Sequence, residues 1–347
     1  MKRIWTILYL VCSCYLVKAQ EDDFSQYLVS ALYMNPAYAS AYTDLAVSVN
    51  YKLQTTGEIP IQTAQVSLVF PIKLDNISDN VAGFGISAFS QDQHDGFLTE
   101  NGIYLTYAQN FSLGLLGSDL IAVGIQGGYA RKAFSPSNFK WGSQYSAYVN
   151  GGFNDFSSAP ITEFDNSSNK IAVHAGAMYY YNRKRNYLLH NYSAFSGIAI
   201  YNINRPNDSF SKAGNDRQPI ILKYHGGVEV RAGNLYILPN ALLYYSRGKY
   251  APIVGSHFAL SFVSTARFTS ANQGFQLLFG SWYRLRESFS FMGGLQYNAL
   301  AIRASMDMNS YLFVPNNAVS ITPSYEISLI YQLGNSGNLR KINNALF

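Results

Sequence analysis

Cysteine is nearly missing from this 347-residue chain: Cys12 and Cys14 are the only two. Both fall in a stretch that reads as a secretory leader. Lys2 and Arg3 give it a charged start, Ile4 to Val17 is mostly apolar, and small Ala19 precedes Gln20. The expectation is a signal peptide over residues 1–19. An uncleaved anchor is the alternative, but the run falls short of the roughly 20 apolar residues a spanning helix needs. The residues before either cysteine form no lipobox. A chain starting at Gln20 has no cysteine, which excludes disulfides, thiolate metal sites and a cysteine nucleophile. Export without disulfides suits a bacterial envelope protein better than a small secreted domain.

Charge is scarce too, at 13% of residues, about half the usual globular share. Lys2, Arg3 and Lys18 leave with the leader and no acid does, so the balance drops from +5 to +2. That excludes a general basic field for nucleic acid. Beyond the leader, no apolar run is long enough for a transmembrane helix. Enzyme motifs are absent as well. There is no Gly-x-Ser-x-Gly elbow and no phosphate loop. His94, His174, His190, His225 and His257 are scattered, with no pair spaced for a metal around a glutamate. The expectation is no catalytic residue, no metal and no cofactor. A Ser–His pair recruiting His225 or His257 is the enzyme alternative, although His225 reads more naturally as a hydrogen-bonding residue of a lumen.

Aromatics, by contrast, are plentiful: 28 Tyr and 22 Phe, 15% aromatic with Trp. Abundant Tyr with little charge fits a protein meeting both lipid and water. The dominant pattern is alternation. Leu45, Val47, Val49, Tyr51 and Leu53 share one face, and Ala46, Ser48, Asn50 and Lys52 the other. Thr63–Ile72 and Leu222–Arg231 repeat this period of two, which marks strands with one apolar and one polar face. About fourteen such segments begin near 44, 61, 81, 99, 118, 169, 191, 219, 234, 255, 272, 286, 298 and 321. Most have the length of a tilted strand crossing a bilayer.

A soluble sandwich would turn the apolar faces inward, and an outer-membrane barrel would turn them outward. The outer faces of Leu45–Leu53, Ser256–Val263, Phe289–Tyr297 and Tyr325–Leu333 are uniformly apolar. Small residues recur on the other face (Gly83, Gly85, Ser87, Ala122, Gly124), leaving room inside. The fold class expected is therefore all-β, a transmembrane antiparallel barrel over residues 44–347. Only a closed barrel lets strands cross lipid with every backbone group paired. Residues 20–43 form an N-terminal appendage on the periplasmic side of the lumen or within it.

An even strand count puts both termini on the periplasmic side. The longest connection, Lys132 to about Ser168, then faces outward, as does Asn204 to Gln218. The turn Arg183 to Asn186 faces inward. In the second outward loop Pro206 ends ladder pairing, Asn207 and Asp208 favour a turn, and Phe210 packs back onto the rim. Alternation puts Arg284, Arg303, Asp307 and Glu326 on inward faces of the late strands. Either they form a lumenal ionic network, or they are separately solvated charges in a wet lumen.

The stretch "FSQYLVSALYMNPAYAS" (Phe24 to Ser40) is neither a clean helix nor a clean strand. It resembles the N-terminal signature of the PorP/SprF family. The matching positions are Phe24, Ser25, Gln26 and Tyr27, then Asn35, Pro36, Ala37, Tyr38 and Ala39. The likeness continues at Gly197 to Phe210, where Asn204, Pro206, Ser209 and Phe210 stand out, at Gly280 to Tyr297, and from Ser305 to Tyr331. Asn202 stands where the family often has His, and Met306 where it often has Tyr. The resemblance implies an outer-membrane barrel of type IX secretion and gliding motility in Bacteroidota, with no catalytic residue. Implied partners are outer-membrane lipid, periplasmic-ring or peptidoglycan-associated secretion components, and a large secreted adhesin-like cargo recognised through its C-terminal domain. A channel for small or hydrophobic solutes is the alternative. For Phe24 to Ser40 the expectation is a plug anchored by Phe24, Tyr27, Leu32, Tyr33 and Tyr38, with a turn at Asn35–Pro36. A pre-strand closing the barrel base is the other reading.

Overall fold

The computed structural model describes residues 24–42, 44–56, 59–73, 80–93, 96–113, 119–135, 145, 166–182, 192–211, 214–263, 274–285, 287–309 and 323–333. The alternating segments form fourteen strands: β1 (Leu45–Thr56), β2 (Ile59–Lys73), β3 (Asn80–Gln93), β4 (Leu98–Leu113), β5 (Asp119–Phe134), β6 (Ser167–Tyr181), β7 (Tyr192–Tyr201), β8 (Ile221–Ala232), β9 (Leu235–Ser246), β10 (Lys249–Val263), β11 (Gly274–Arg284), β12 (Ser288–Tyr297), β13 (Leu300–Asn309) and β14 (Ser324–Leu333). Each pairs antiparallel with the next. β14 returns to β1 in the register Leu45↔Leu333 to Leu53↔Tyr325, closing the barrel. Closure removes every sheet edge. No described helix is long and apolar enough to cross a membrane.

The strands start close to where alternation puts them. β10 is the exception: it begins at Lys249 rather than 255, with the pairing to β9 running through Pro252, opposite Leu243. Local chemistry sets the tight hairpins. Between β9 and β10, Arg247 and Gly248 both take positive φ (49° and 79°), the twist that a two-residue hairpin turn needs.

Burial is inverted relative to a soluble protein. Outward Leu105, Ile125, Phe84 and Ile327 are among the most exposed side chains, while inward Asn50, Gln65, Thr106, Lys223 and Glu229 are buried. Exposed apolar residues recur around the wall, the pattern of a barrel whose outer face meets a membrane.

The lumen holds Phe24–Tyr42. It includes a one-turn helix α1 (Ala31–Met34) and a 3-10 turn (Pro36–Ser40). Tyr27, Leu28, Leu32, Met34 and Tyr38 form a core with Leu238, Leu242, Leu278 and Trp282 of the wall. The room left by small inward residues is thus filled by the chain itself. The segment lies near Glu100 and Gln218 at Phe24 and reaches the start of β3 at Tyr42, whose carbonyl accepts from Asn80 Nδ2. It therefore runs along the barrel towards β1. The end of β5, the start of β6 and the described residues of 202–220 lie at the Phe24 end. Loop Lys132–Ser168 falls mostly outside the described residues, although Lys132 and Ser168 are themselves paired across β5 and β6. The turn Arg183–Asn186 and residues 1–23 also lie outside them.

Candidate functional site: the filled lumen

The tail of the plug is shaped by its own sequence. Asn35 caps the 3-10 turn, its Oδ1 accepting from Ala37 N at 2.9 Å, with Pro36 at the first helical position. Asn is a favoured cap, and Pro has no N–H to leave unsatisfied there. The Asn35 Nδ2 group reaches Ala177 O and Ile198 O, both at 3.2 Å, and His225 Nε2 at 3.1 Å. One side chain therefore spans β6, β7 and β8. Tyr38 stacks on His225, with ring centroids 5.4 Å apart, and Asn110 Nδ2 donates to Ser40 O at 2.9 Å.

Glycines make this approach possible. A Cβ on Gly124 would lie 2.6 Å from Ala37 N and from Pro36 C. One on Gly83 would overlap the Ala39 carbonyl, and one on Gly176 would overlap Asn35 Oδ1. β3, β5 and β6 thus offer bare backbone to the plug, and only glycine allows such close contact.

The front of the plug is held differently. Glu326 accepts from Ser25 N at 2.7 Å and from Gln26 N at 3.3 Å. Gln26 Nε2 donates to Ser305 Oγ at 3.1 Å, and Ser328 Oγ donates to Gln26 Oε1 at 2.8 Å. Asp307 accepts from Ser25 Oγ and from Ser324 Oγ, and pairs with Lys52 Nζ at 3.6 Å. The Tyr27 hydroxyl donates to Asn240 Oδ1, which also accepts from Trp282 Nε1 at 3.0 Å. Burial raises the Tyr27 and Tyr38 hydroxyls above their ordinary range. It pushes Tyr42 up to about 12, against an opposing pull from Arg303.

The four late-strand charges differ in their immediate partners, with Arg284 still near enough for its charge to act on Asp307. Asp307 and Glu326 meet around Ser25–Gln26. Lys52 joins them and was not singled out from the sequence, although its lone charge on the polar face of β1 was a usable signal. Arg284 pairs with Glu287 at 3.4 Å beyond the end of β11. Arg303 lies deep on β13, near enough to Tyr42 and His257 for its charge to act on both.

The loop after β7 folds over the mouth. Asn204 brackets β6, its Oδ1 accepting from Val173 N at 3.1 Å and its Nδ2 donating to Ile171 O at 2.7 Å. Pro206 O accepts from Gln218 N at 2.9 Å. Ser209 N donates to Asn207 Oδ1 at 3.2 Å. Phe210 meets Phe134 edge-on at 4.8 Å. Asp208 pairs with Lys132 at 3.3 Å and with Lys170 at 3.2 Å, and Lys170 also pairs with Glu100 at 2.8 Å. This ionic clasp was not read from the sequence, because it joins strands far apart along the chain.

His225 is engaged by the plug, and His257 meets Trp282 edge-on at 5.4 Å. Among the described residues, no three His, Cys, Asp or Glu side chains gather as metal ligands.

A closed antiparallel barrel with an apolar exterior and a polar lumen is the architecture of an outer-membrane β-barrel. More particularly, the chain belongs to the PorP/SprF family of type IX secretion system membrane proteins, whose model matches residues 16–331. Membership implies association with type IX secretion components. No curated protein matches the chain in sequence. Among solved structures it is similar to the Pseudomonas putida toluene transporter TodX (10% identity, 87% of this chain and 92% of that one, TM-score 0.46). It is also similar to a Pseudomonas aeruginosa FadL homologue (11% identity, 88% and 94%, TM-score 0.43) and to the CymD monoaromatic hydrocarbon channel (10% identity, 92% and 96%, TM-score 0.45).

Proposed function

We propose that this protein is a plugged, non-enzymatic outer-membrane component of type IX secretion, working by binding rather than by conduction or bond chemistry. The observation carrying this reading is the filled lumen. Phe24–Tyr42 occupies it through glycine contacts on one side and charge-assisted hydrogen bonds on the other. In this reading residues 1–19 are a cleaved signal peptide, residues 20–43 are a plug that enters from the periplasm, and the barrel follows. Periplasmic-ring or peptidoglycan-associated components engage the inner end. A large adhesin-like cargo, presented by its C-terminal domain for export, surface attachment or gliding, engages the outer loops, Lys132–Ser168 among them. A channel for small hydrophobic solutes would need the plug to leave or to shift, and its many separate attachments weigh against that.

Quantitative proteomics of surface and supernatant tests the proposal by comparing a clean deletion with its complemented strain. Loss of one large protein identifies a cargo-dedicated partner. Loss of many proteins sharing a C-terminal domain identifies core machinery. An unchanged secretome sinks the secretion reading.

A further inference from the structure

Beyond the plug, on the side of the long loops, the lumen keeps a cavity of about 300 Å³. Phe24 and Tyr33 of the plug line it, together with β2–β4 on one side and β6–β8 on the other. On the first wall Thr63, Ser87 and Tyr104 bring hydroxyl groups to the cavity, and among the described residues none of the three hydroxyls has a hydrogen-bond partner. Tyr104 also stacks with Phe89, centroids 6.0 Å apart and planes 17° apart, so the same wall offers flat apolar faces.

The opposite wall carries two lysines, one of them paired with acids. Lys170 is held by Glu100 and Asp208. Lys223 Nζ donates to Tyr33 O at 3.2 Å and lies 4.7 and 4.5 Å from the ring centroids of Tyr33 and Tyr201. His174 Nδ1 accepts from Asn202 N at 3.0 Å. An accepting Nδ1 means a neutral ring with its proton on Nε2, a further donor.

These features select a ligand class. An apolar solute would bury the three hydroxyls unsatisfied, which is unfavourable. A polyanion would face the Glu100 carboxylate and would find Lys170 already engaged by Glu100 and Asp208. A polyol with a flat C–H face suits both walls: its hydroxyls answer Thr63, Ser87 and Tyr104, and its ring packs on the aromatics. The volume lies at the low end of small-ligand pockets, about 300–1,000 Å³, which suits one or two sugar rings. We propose that this outer cavity binds a saccharide, neutral or singly charged. The ligand is either a free sugar or the terminal unit of a longer glycan. This inference stands independently of the secretion reading.

The test uses the full chain, purified in detergent, with calorimetry and saturation-transfer NMR. Probes are glucose, N-acetylglucosamine and glucuronate, their short oligosaccharides, and octanoate as the apolar comparison. The expected result is binding of at least one sugar and none of octanoate. Oligosaccharides that bind at least as well as the monosaccharide identify a glycan end, and monosaccharide binding alone identifies a free sugar. Tyr104→Phe and Ser87→Ala should each weaken binding about tenfold, as for one lost hydrogen bond. Outward Ile103→Ala should leave it unchanged. Silence towards every sugar, preference for octanoate, or unchanged sugar affinity in both variants overturns the proposal.

Discussion

The two sides of the lumen hold one plug by opposite means. β3, β5 and β6 present bare glycine backbone to Asn35–Ser40, so contact there depends on what the wall lacks. β1, β13 and β14 present Lys52, Asp307 and Glu326 to Ser25–Gln26, so contact there depends on what the wall carries. The glycine side is broken by adding atoms, and the charged side by removing them. The difference also separates permanence from adjustability. Close-packed backbone has one fitting arrangement, whereas a hydrogen-bonded charge cluster answers to whatever competes for its members.

The largest effect is expected from Gly124→Leu, which drives a side chain into Pro36 and Ala37. Overpacking of this kind costs about 1–3 kcal/mol in a yielding core, and more against backbone. With no other cysteine expected after leader removal, Ala39→Cys serves as a reporter. It should resist maleimide labelling in the otherwise native chain and label fully beside Gly124→Leu. Glu326→Ala comes next. It leaves the Ser25 and Gln26 amides without their buried acceptor, at about 2–4 kcal/mol. A Leu28→Cys reporter should then label while Ala39→Cys stays protected. If both reporters open together, the two sides are not separate holds.

Tyr27→Phe is smaller, about 1 kcal/mol for one hydrogen bond. It should speed Leu28→Cys labelling a few-fold without exposing Ala39→Cys. The smallest effect over ordinary conditions comes from pH. Tyr42 is held neutral by burial, with its hydroxyl pushed up to about 12. Its raised value gives stability that is complete below its unfolded value near 10 and is lost as pH rises through the folded one. Seating followed by Ala39→Cys labelling should therefore be flat to about pH 10 and fail towards pH 12.

The barrel was legible because a period-two pattern repeats locally and needs no knowledge of partners. Strand starts follow from it except at β10, whose pairing begins earlier, at Lys249, and runs through Pro252. The plug was legible as an odd segment and through its Asn35–Pro36 turn, a local piece of capping chemistry. How it is seated was not. Asn35 meets Ala177, Ile198 and His225, each more than a hundred residues away, and Gly83, Gly124 and Gly176 become one surface only after closure. The inward charges were visible on β11, β13 and β14, but their partners were not. Lys52 reaches Asp307 because β1 closes on β14, and Asp208 reaches Lys132 and Lys170 because its loop folds back over the mouth.

The central claim is a lumen closed by its own N-terminal segment. Planar-bilayer conductance of the purified full chain tests it most directly. The account predicts no steady ion current across a range of voltages. A steady, reproducible single-channel current from the intact chain would contradict it.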